Sequence, residues 1–282
     1  MEHLVYENSL NNKIAIKESF PYFLEGLDGI HEKSSELYGV SSAFGIGEFY
    51  VGENVVKRNI NITGYFKDHF RERTLFLNNI FRNNDEGTLF YYEDDFSAKI
   101  KCRVEKVEIE KSGAIRHFFV SLICFNPYFE ETEEHIISLA SWEGGIEFPL
   151  EILEDGLEFG TKNHNVAAII ENSTSIDTGL KFILTATGTV KKPSIKNIVN
   201  QEILTLDYEL KIGDEVIITT GLNNKNIILK RNNEEININN YLLFGTKFLQ
   251  LKPGINNIKI LAEEGIEYLS TSISYSLLYE AV

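Results

Sequence analysis

Five consecutive segments decide the fold of this chain: VKRNINITGYF (56–66), KDHFRERTLFLNNIFRN (67–83), GTLFYY (87–92), KIKCRVEKVEIE (99–110) and RHFFVSLICFNPYF (116–129). Apolar and polar residues alternate in the first segment, which favours a β-strand. In the second segment apolar residues recur three and four positions apart, which favours an amphipathic helix. The order predicts a strand, a helix, a short strand and a long β-hairpin in one compact unit.

The predicted helix has a recognisable start and an apolar face. Asp68 is a suitable N-cap, because its side chain can accept hydrogen bonds from the free amides of the first turn. Four side chains at helical spacing form the face expected to pack on the core: Phe70, Thr74, Leu77 and Phe81.

The first arm of the hairpin alternates regularly until Val104, and its apolar phase then slips to Val107. A three-residue step inside a period of two predicts a β-bulge. The turn is predicted at residues 111–114, which include Gly113. The hairpin is therefore expected to be long and bent.

The return arm is apolar on both faces. One face carries Phe118, Val120, Leu122 and Cys124, and most of the other is formed by Phe119, Ile123 and Phe125. A strand that is apolar on both faces is expected to be covered on both faces. The second cover is either the same domain or a neighbouring subunit.

Charge and length limit the classes of function. The chain has 282 residues and a formal net charge of −15, which argues against general nucleic-acid binding but is compatible with DNA that passes without sticking. There is no signal-peptide pattern, and we expect a protein folded in a cytosol without membrane insertion. Cys102 and Cys124 are accordingly expected to be buried, reduced thiols.

Two domains are expected, an N-terminal β domain with one helix over residues 1–134, which the resemblance given below implies to be ring-forming (the belt domain), and a β-sandwich over 135–282. The acidic run EETEE at 130–134 lies at their boundary. Beyond about residue 146, short strands recur with turn signals about every ten residues, which is typical of a β-sandwich or jelly roll. Residues 20–47 are interrupted by glycines and are interpreted as irregular, either with some structure that the pattern does not resolve or as a segment that wraps another surface.

A search for chemistry finds no active site. None of the six histidines pairs with another at metal-ligand spacing, and there is no CxxC, no HExxH, no P-loop and no nucleophile elbow. We therefore predict no catalytic, cofactor-binding or metal-binding residues, and a binding or structural role.

The chain resembles the distal tail protein (Dit) family of long-tailed bacteriophages. The resemblance covers nearly the whole chain and depends on the order of individually weak motifs. In the N-terminal half these are VKRNINITG at 56–64, a helix with Arg73, Leu75 and Leu77, GTL at 87–89, the basic strand 99–104, and SLICFNPYF at 121–129. In the C-terminal half they are Asn172, Gly179, residues 195–200, 206–220 and 251–256, and a terminal strand to Tyr279.

The resemblance implies a mainly β fold: an N-terminal β domain with one helix and a long hairpin, and a C-terminal galectin-like sandwich. It implies a hexameric ring at the tail tip of a virion or of a phage-derived particle, which joins the tail tube protein to the tail-associated hub protein and lets DNA pass. Ring closure would cover the second face of the return arm, so the subunit interface is predicted at Phe119, Ser121, Ile123 and Phe125.

An alternative function is carbohydrate binding through the C-terminal sandwich, with a host glycan as the partner. Its candidate residues are the aromatic side chains Tyr241 and Tyr268. The competing interpretation is that these aromatic rings pack in the core.

Overall fold

The computed structural model describes residues 3–41, 45–83, 85–139, 142–144, 160–162 and 167–282. These residues are mostly β-strand with one α-helix among them, which confirms the expected mainly β fold class. The chain divides into two compact units, Met1–Glu133 with Leu278–Val282, and Glu134–Leu277. The last five residues therefore belong to the first unit, whereas the sequence pattern assigns all of 135–282 to the second domain.

The described residues of the N-terminal part form ten strands and one helix: β1 (His3–Glu7), β2 (Lys13–Lys17), β3 (Phe23–Asp28), β4 (Ser35–Ser41), β5 (Glu48–Val55), β6 (Arg58–Phe66), α1 (Phe70–Ile80), β7 (Glu86–Glu93), β8 (Phe96–Ser112), β9 (Ile115–Cys124) and β10 (Phe129–Glu131). No helix in the part of the chain that the structure describes is both long and apolar enough to span a membrane.

The remaining strands are β11 (His135–Leu139), β12 (Trp142–Gly144), β13 (Gly160–Lys162), β14 (Ala167–Asn172), β15 (Thr178–Gly179), β16 (Lys181–Ala186), β17 (Val190–Lys191), β18 (Ser194–Asn197), β19 (Ile203–Thr205), β20 (Glu209–Leu210), β21 (Glu215–Gly221), β22 (Asn224–Arg231), β23 (Glu234–Asn237), β24 (Gln250–Leu251), β25 (Gly254–Leu261), β26 (Leu269–Tyr275) and β27 (Leu278–Tyr279). Two 3-10 helices lie at Asn239–Tyr241 and Ile266–Tyr268.

The long strand β8 closes the sheet of the first unit. The nine strands follow the order β27-β10-β8-β7-β1-β2-β3-β6-β9, and β8 also pairs with β9. The first half of β8 pairs with β7 and its second half with β9, and its register shifts between Val104 and Lys106. This shift confirms the predicted bulge. Because a bulge bends and twists a strand, one strand can serve both ends of the sheet.

The closed sheet and α1 surround one apolar core. Its fully buried members come from most strands of the sheet and from the helix, and they include Leu4, Ile16, Ile60, Ile62, Leu77, Leu89, Tyr91, Val120 and Leu122. The predicted inner face of the return arm is confirmed, since Phe118, Val120, Leu122 and Cys124 are all buried.

The predicted N-cap of the helix is wrong. The N-cap residue is His69, which has a φ of 44° and makes no side-chain cap hydrogen bond. Asp68 instead pairs with the guanidinium of Arg73, with Oδ1 2.6 Å from Nη2. Arg73 is buried, and a buried cation needs a counter-charge. Asp68 therefore pairs with Arg73 and does not cap the helix.

The predicted apolar face of α1 is correct only in part. Leu77 and Phe81 are buried, while Phe70 and Thr74 are half-buried. Ile80 and Arg73 complete the buried face and were not expected there.

Residues 20–47 contain two strands, β3 and β4, where the sequence pattern predicts irregular structure. β3 joins the closed sheet beside β6, and β4 pairs only with β5 as a separate hairpin.

The second unit consists of antiparallel strands around its own core. Its larger sheets are β11-β26-β16-β21-β22-β23 and β14-β25-β18-β19. Buried residues of both sheets, among them Ile170, Phe182, Ile218, Ile258 and Ile273, belong to one apolar cluster. This arrangement agrees with the predicted β-sandwich. A galectin-like relationship stays a prediction.

Candidate assembly surfaces

Arg58 links three distant parts of the first unit. Its Nε donates to the carbonyl of Pro127 at 2.9 Å, and its Nη1 donates to those of Ile30 at 3.3 Å and Glu32 at 2.8 Å. Further hydrogen bonds reach the carbonyls of Gly29 and Glu280. Burial lowers the pKa of the guanidinium. The carbonyls supply the hydrogen bonds that water would make to an exposed cation.

A cleft of about 460 Å³ lies beside Arg58, at the base of the hairpin formed by β4 and β5. Its charged lining groups include Lys33 and Glu280, which pair with each other at 2.6 Å between Nζ and Oε2. These two charged side chains of the cleft wall therefore neutralise each other.

Of the four predicted interface residues, Phe119, Ser121 and Ile123 lie on the outer face of β9 and Phe125 follows its last residue, and the monomer covers them unequally. Ser121 is buried, Phe119 and Ile123 are half-buried, and Phe125 is 69% exposed. Ser121 Oγ donates to Glu105 Oε2 at 2.7 Å. Two apolar side chains and one exposed ring are therefore available for a contact, while Ser121 is held within its own subunit.

The hairpin of β4 and β5 is a second exposed surface, which the sequence pattern does not predict. Every residue of these strands except Gly52 is exposed. Leu37 and Phe49 are exposed to 68% and 70%. The signal was weak, since the apolar residues do not alternate regularly when neither face is buried.

A third exposed surface lies on α1, where the rings of Phe20 and Phe76 flank a buried group. The Arg73 guanidinium lies 4.6 Å from the Phe20 ring centroid and 5.4 Å from that of Tyr22. The Tyr22 and Phe76 rings are stacked with centroids 6.1 Å apart. Phe20, Phe76 and the neighbouring Leu75 are all exposed, so the surface is apolar and rests on a fixed support.

The two cysteines and His117 contact other groups of the protein and do not form a reactive or metal-binding cluster among the described residues. Cys102 and Cys124 are free and buried, as expected, and a hydrogen bond to Cys124 together with burial raises the pKa of the Cys102 thiol. His117 Nδ1 lies 3.0 Å from Glu25 Oε2 on the surface. The described residues contain no group of three or more His, Cys, Asp or Glu side chains able to hold a metal ion.

The candidate glycan-binding aromatics of the second unit are partly packed. The rings of Tyr241 and Tyr208 meet edge to face with centroids 4.8 Å apart. The Tyr268 ring lies over Gly188, and a Cβ added to that glycine would be 2.6 Å from the ring. Both tyrosines still expose 44% of their surface, and Phe244 is fully exposed. Neither the core interpretation nor a freely exposed platform describes them completely.

These features define a class: a two-unit β protein whose first unit carries three exposed apolar surfaces. Residues 173–279 match the family described as siphovirus-type tail component, C-terminal domain. This match confirms the resemblance to the phage distal tail protein family over the C-terminal part of the chain. The chain is a phage tail or baseplate component, in line with the expected place at the virion tail tip.

Solved structures are similar over a greater length. The Dit (gp 19.1) protein of phage SPP1, described as a paradigm of the hub adsorption apparatus in phages infecting Gram-positive bacteria, has a TM-score of 0.71 at 10% identity, with 98% of both chains covered. A chain of the phage p2 baseplate in its activated conformation with Sr has a TM-score of 0.53 at 9% identity, with 100% of both chains covered. These likenesses establish the fold. No curated protein matches the chain.

Proposed function

We propose that this protein forms a ring at the tail tip that joins the tail tube protein to the tail-associated hub protein and lets DNA pass through it. The observation that carries the proposal is the fold likeness to SPP1 Dit, a hub protein by its description, over 98% of both chains. The likeness extends through both units, so neither is an unrelated addition.

The ring is expected to be a homo-hexamer built by the first unit. The outer face of β9, with Phe119, Ser121, Ile123 and Phe125, is the proposed subunit interface. Support comes from the exposed Phe125 and the half-buried Phe119 and Ile123, because apolar side chains left uncovered in a monomer gain stability when a neighbour covers them.

The passage of DNA is supported by charge. A net charge of −15 repels the phosphate backbone and disfavours retention of the DNA. The proposed role uses DNA as passing cargo and needs no cofactor or metal.

Electron microscopy of the negatively stained full chain, alone and with the tail-associated hub protein, tests this function. The expected result is a ring of uniform diameter in at least one of the two samples. Particles of monomer size in both samples would contradict the proposal.

Carbohydrate binding by the second unit is a second candidate, because Tyr241 and Phe244 expose aromatic surface close together in sequence. Titration of the full chain with host wall polysaccharide tests it. Saturable binding that is lost in Tyr241→Ala and Phe244→Ala, and retained in the control Leu10→Ala, would support this function. Binding that is absent, or equal in all three variants, would exclude it.

A further inference from the structure

The hairpin of β4 and β5 is an apolar surface without a cover. Large apolar side chains at 35–55 are exposed on both of its strands: Leu37, Tyr38, Val40, Phe49, Tyr50, Val51 and Val55. None of the residues that the structure describes buries them, since all seven are classed as exposed. Such a concentration of apolar surface is typical of a binding surface.

The pairing of the strands explains why the hairpin cannot cover itself. Val40 lies opposite Phe49, and Tyr38 is on the same face two residues away. Leu37 lies on the other face. A two-stranded ribbon has apolar residues on both faces and no third layer, so it is only marginally stable on its own. A partner that packs on it would supply the missing layer.

The charge of the hairpin limits the chemistry of that partner. Residues 35–55 contain three glutamates, Glu36, Glu48 and Glu53, and no lysine or arginine. Nucleic acid and anionic membrane surfaces are therefore disfavoured. The partner is expected to be apolar and basic.

The exposed face of α1 has this complementary character. Outside the hairpin, the exposed large apolar side chains in the described part of the first unit are Leu10, Phe20, Leu75, Phe76 and Phe125. Three of these five form the α1 surface described above. Arg71 is exposed on the helix four positions before Leu75, and Arg82 is exposed just beyond the helix end, whereas the helix itself has one exposed acid, Glu72. An acidic apolar ribbon thus has a basic apolar counterpart on the same chain.

We propose that the hairpin of one copy docks on the α1 surface of a second copy. The two surfaces differ, so the contact is heterologous, and repeated contacts of this kind generate a ring if the rotation closes. The inference rests on the proposed ring and assigns it a second contact, additional to β9. Arg58 donates hydrogen bonds to the carbonyls of Ile30 and Glu32, which precede β4, and so fixes the base of the β4–β5 hairpin.

Sedimentation velocity of one-sided variants of the full chain tests the contact. The hairpin variant is Phe49→Asp with Tyr50→Asp, and the helix variant is Arg71→Glu with Leu75→Asp. The parent is expected to associate with rising concentration, and each variant alone to associate about tenfold or more weakly. The two variants mixed should associate more strongly than either variant alone, because each mixed pair retains one intact hairpin and one intact α1 surface.

Leu10→Asp is the matched control, an exposed apolar residue of the same unit that should leave association unchanged. A second pair keeps every apolar residue: Glu36→Lys with Glu53→Lys on the hairpin, and Arg71→Glu with Arg82→Glu on α1. Each charge reversal should weaken association, and mixing the two chains should restore it. Thermal melting confirms that each variant is folded.

Three results would overturn the contact: a parent that stays monomeric at all concentrations, one-sided variants that associate like the parent, or mixtures that associate no more strongly than either variant alone. A hairpin variant that self-associates normally but loses only the hub protein would also overturn it, and would identify the hub as the occupant. Rings formed equally by the hairpin variant and the parent would overturn this contact alone. Absence of rings from the parent with its hub protein would overturn the proposed function itself.

Discussion

At the scale of single residues, Arg58 is the clearest example of a side chain that determines long-range structure. Its guanidinium is half-buried, donates to the carbonyls of residues 29, 30, 32, 127 and 280, and lies 5.1 Å from the centroid of the Phe129 ring. A planar guanidinium presents five donors in fixed directions. No other residue type can bridge three chain segments in this way.

We expect Arg58→Lys to destabilise the first unit by about 3 kcal/mol, because a compact ammonium leaves several buried carbonyls without donors. Chemical denaturation measures the change. Arg103→Lys is the control, since Arg103 makes an exposed pair with Glu86 and should change stability by less than about 1 kcal/mol. Equal effects of the two substitutions would contradict the role given to Arg58.

Gly29, whose carbonyl accepts a hydrogen bond from Arg58, occupies a backbone conformation that requires glycine. Its φ is +86°, and a Cβ at this position would lie 2.0 Å from the carbonyl oxygen of Asn59. Gly29→Ala is expected to destabilise the chain by more than about 2 kcal/mol, since it combines backbone strain with a clash against main-chain atoms.

Gly213→Ala separates these two effects. Gly213 has a φ of +85°, and a Cβ added there would meet nothing within 4 Å, so only the strain of about 1–2 kcal/mol should be observed. Denaturation midpoints of the two variants give the comparison. A cost at Gly29 no greater than at Gly213 would show that the clash is relieved by local movement.

At the scale of elements, burial decided which features could be predicted from sequence. The inner face of β9 and the bulge in β8 were predicted because a buried face imposes a period of two, and a slip in that period marks an extra residue. β4 and β5 were missed for the opposite reason. Both of their faces are exposed, so no alternation records them.

The β21–β22 region contains the best-buried ion pair among the described residues. Arg231 donates from Nε to Asp214 Oδ1 at 2.7 Å and from Nη2 to Oδ2 at 2.5 Å. The amide of Lys211 also donates to Asp214 at 2.7 Å. The hydrogen bonds from Arg231 hold the pKa of the Asp214 carboxyl below its usual range. The pair joins the turn before β21 to the end of β22.

The lowered pKa gives the pair a defined pH dependence. Its stabilisation is fully present above the unfolded-state pKa of about 3.9 and is lost as the pH falls through the lower folded-state value. Asp214→Asn should therefore reduce the unfolding free energy by about 3 kcal/mol at neutral pH. The difference from the parent should shrink below about pH 4.

Urea denaturation of the parent and Asp214→Asn between neutral and acidic pH measures this difference. Glu215→Gln is the control, because Glu215 pairs with Lys230 on the surface at 3.5 Å and should have little effect at any pH. A gap that stayed constant down to acidic pH would show that Asp214 does not titrate with the expected sign.

At the scale of the whole molecule, the chain returns to its first unit at its C-terminus. β27 pairs with β10 through Phe129 and Tyr279. The ring of Tyr279 also meets Phe96 edge to face at 5.2 Å. Glu280 joins both Arg58 and Lys33. The last residues thus add a strand to the sheet of the N-terminal unit and an acceptor to the hydrogen bonds of Arg58.

Removal of residues 278–282 is expected to destabilise the first unit by about 3 kcal/mol or more, because it deletes a paired strand, a packed ring and an acceptor for Arg58. Differential scanning calorimetry should show a lowered transition for the first unit. The transition of the second unit, which has its own core, should be unchanged. Removal of residues 281–282 alone should have a smaller effect, and equal effects of the two truncations would contradict the role of β27.

The sequence by itself determined the mainly β class, the helix, the inner face of β9 and the bulge in β8. Each of these leaves a local periodicity, because burial of one face selects residues at fixed short spacings. Tertiary structure alone decided the hydrogen bonds of Arg58, the pairing of β27 with the sheet of the first unit, and the exposure of the β4–β5 hairpin. Arg58 and Glu280 are 222 positions apart, and a contact between such distant residues leaves no periodic signal in either neighbourhood.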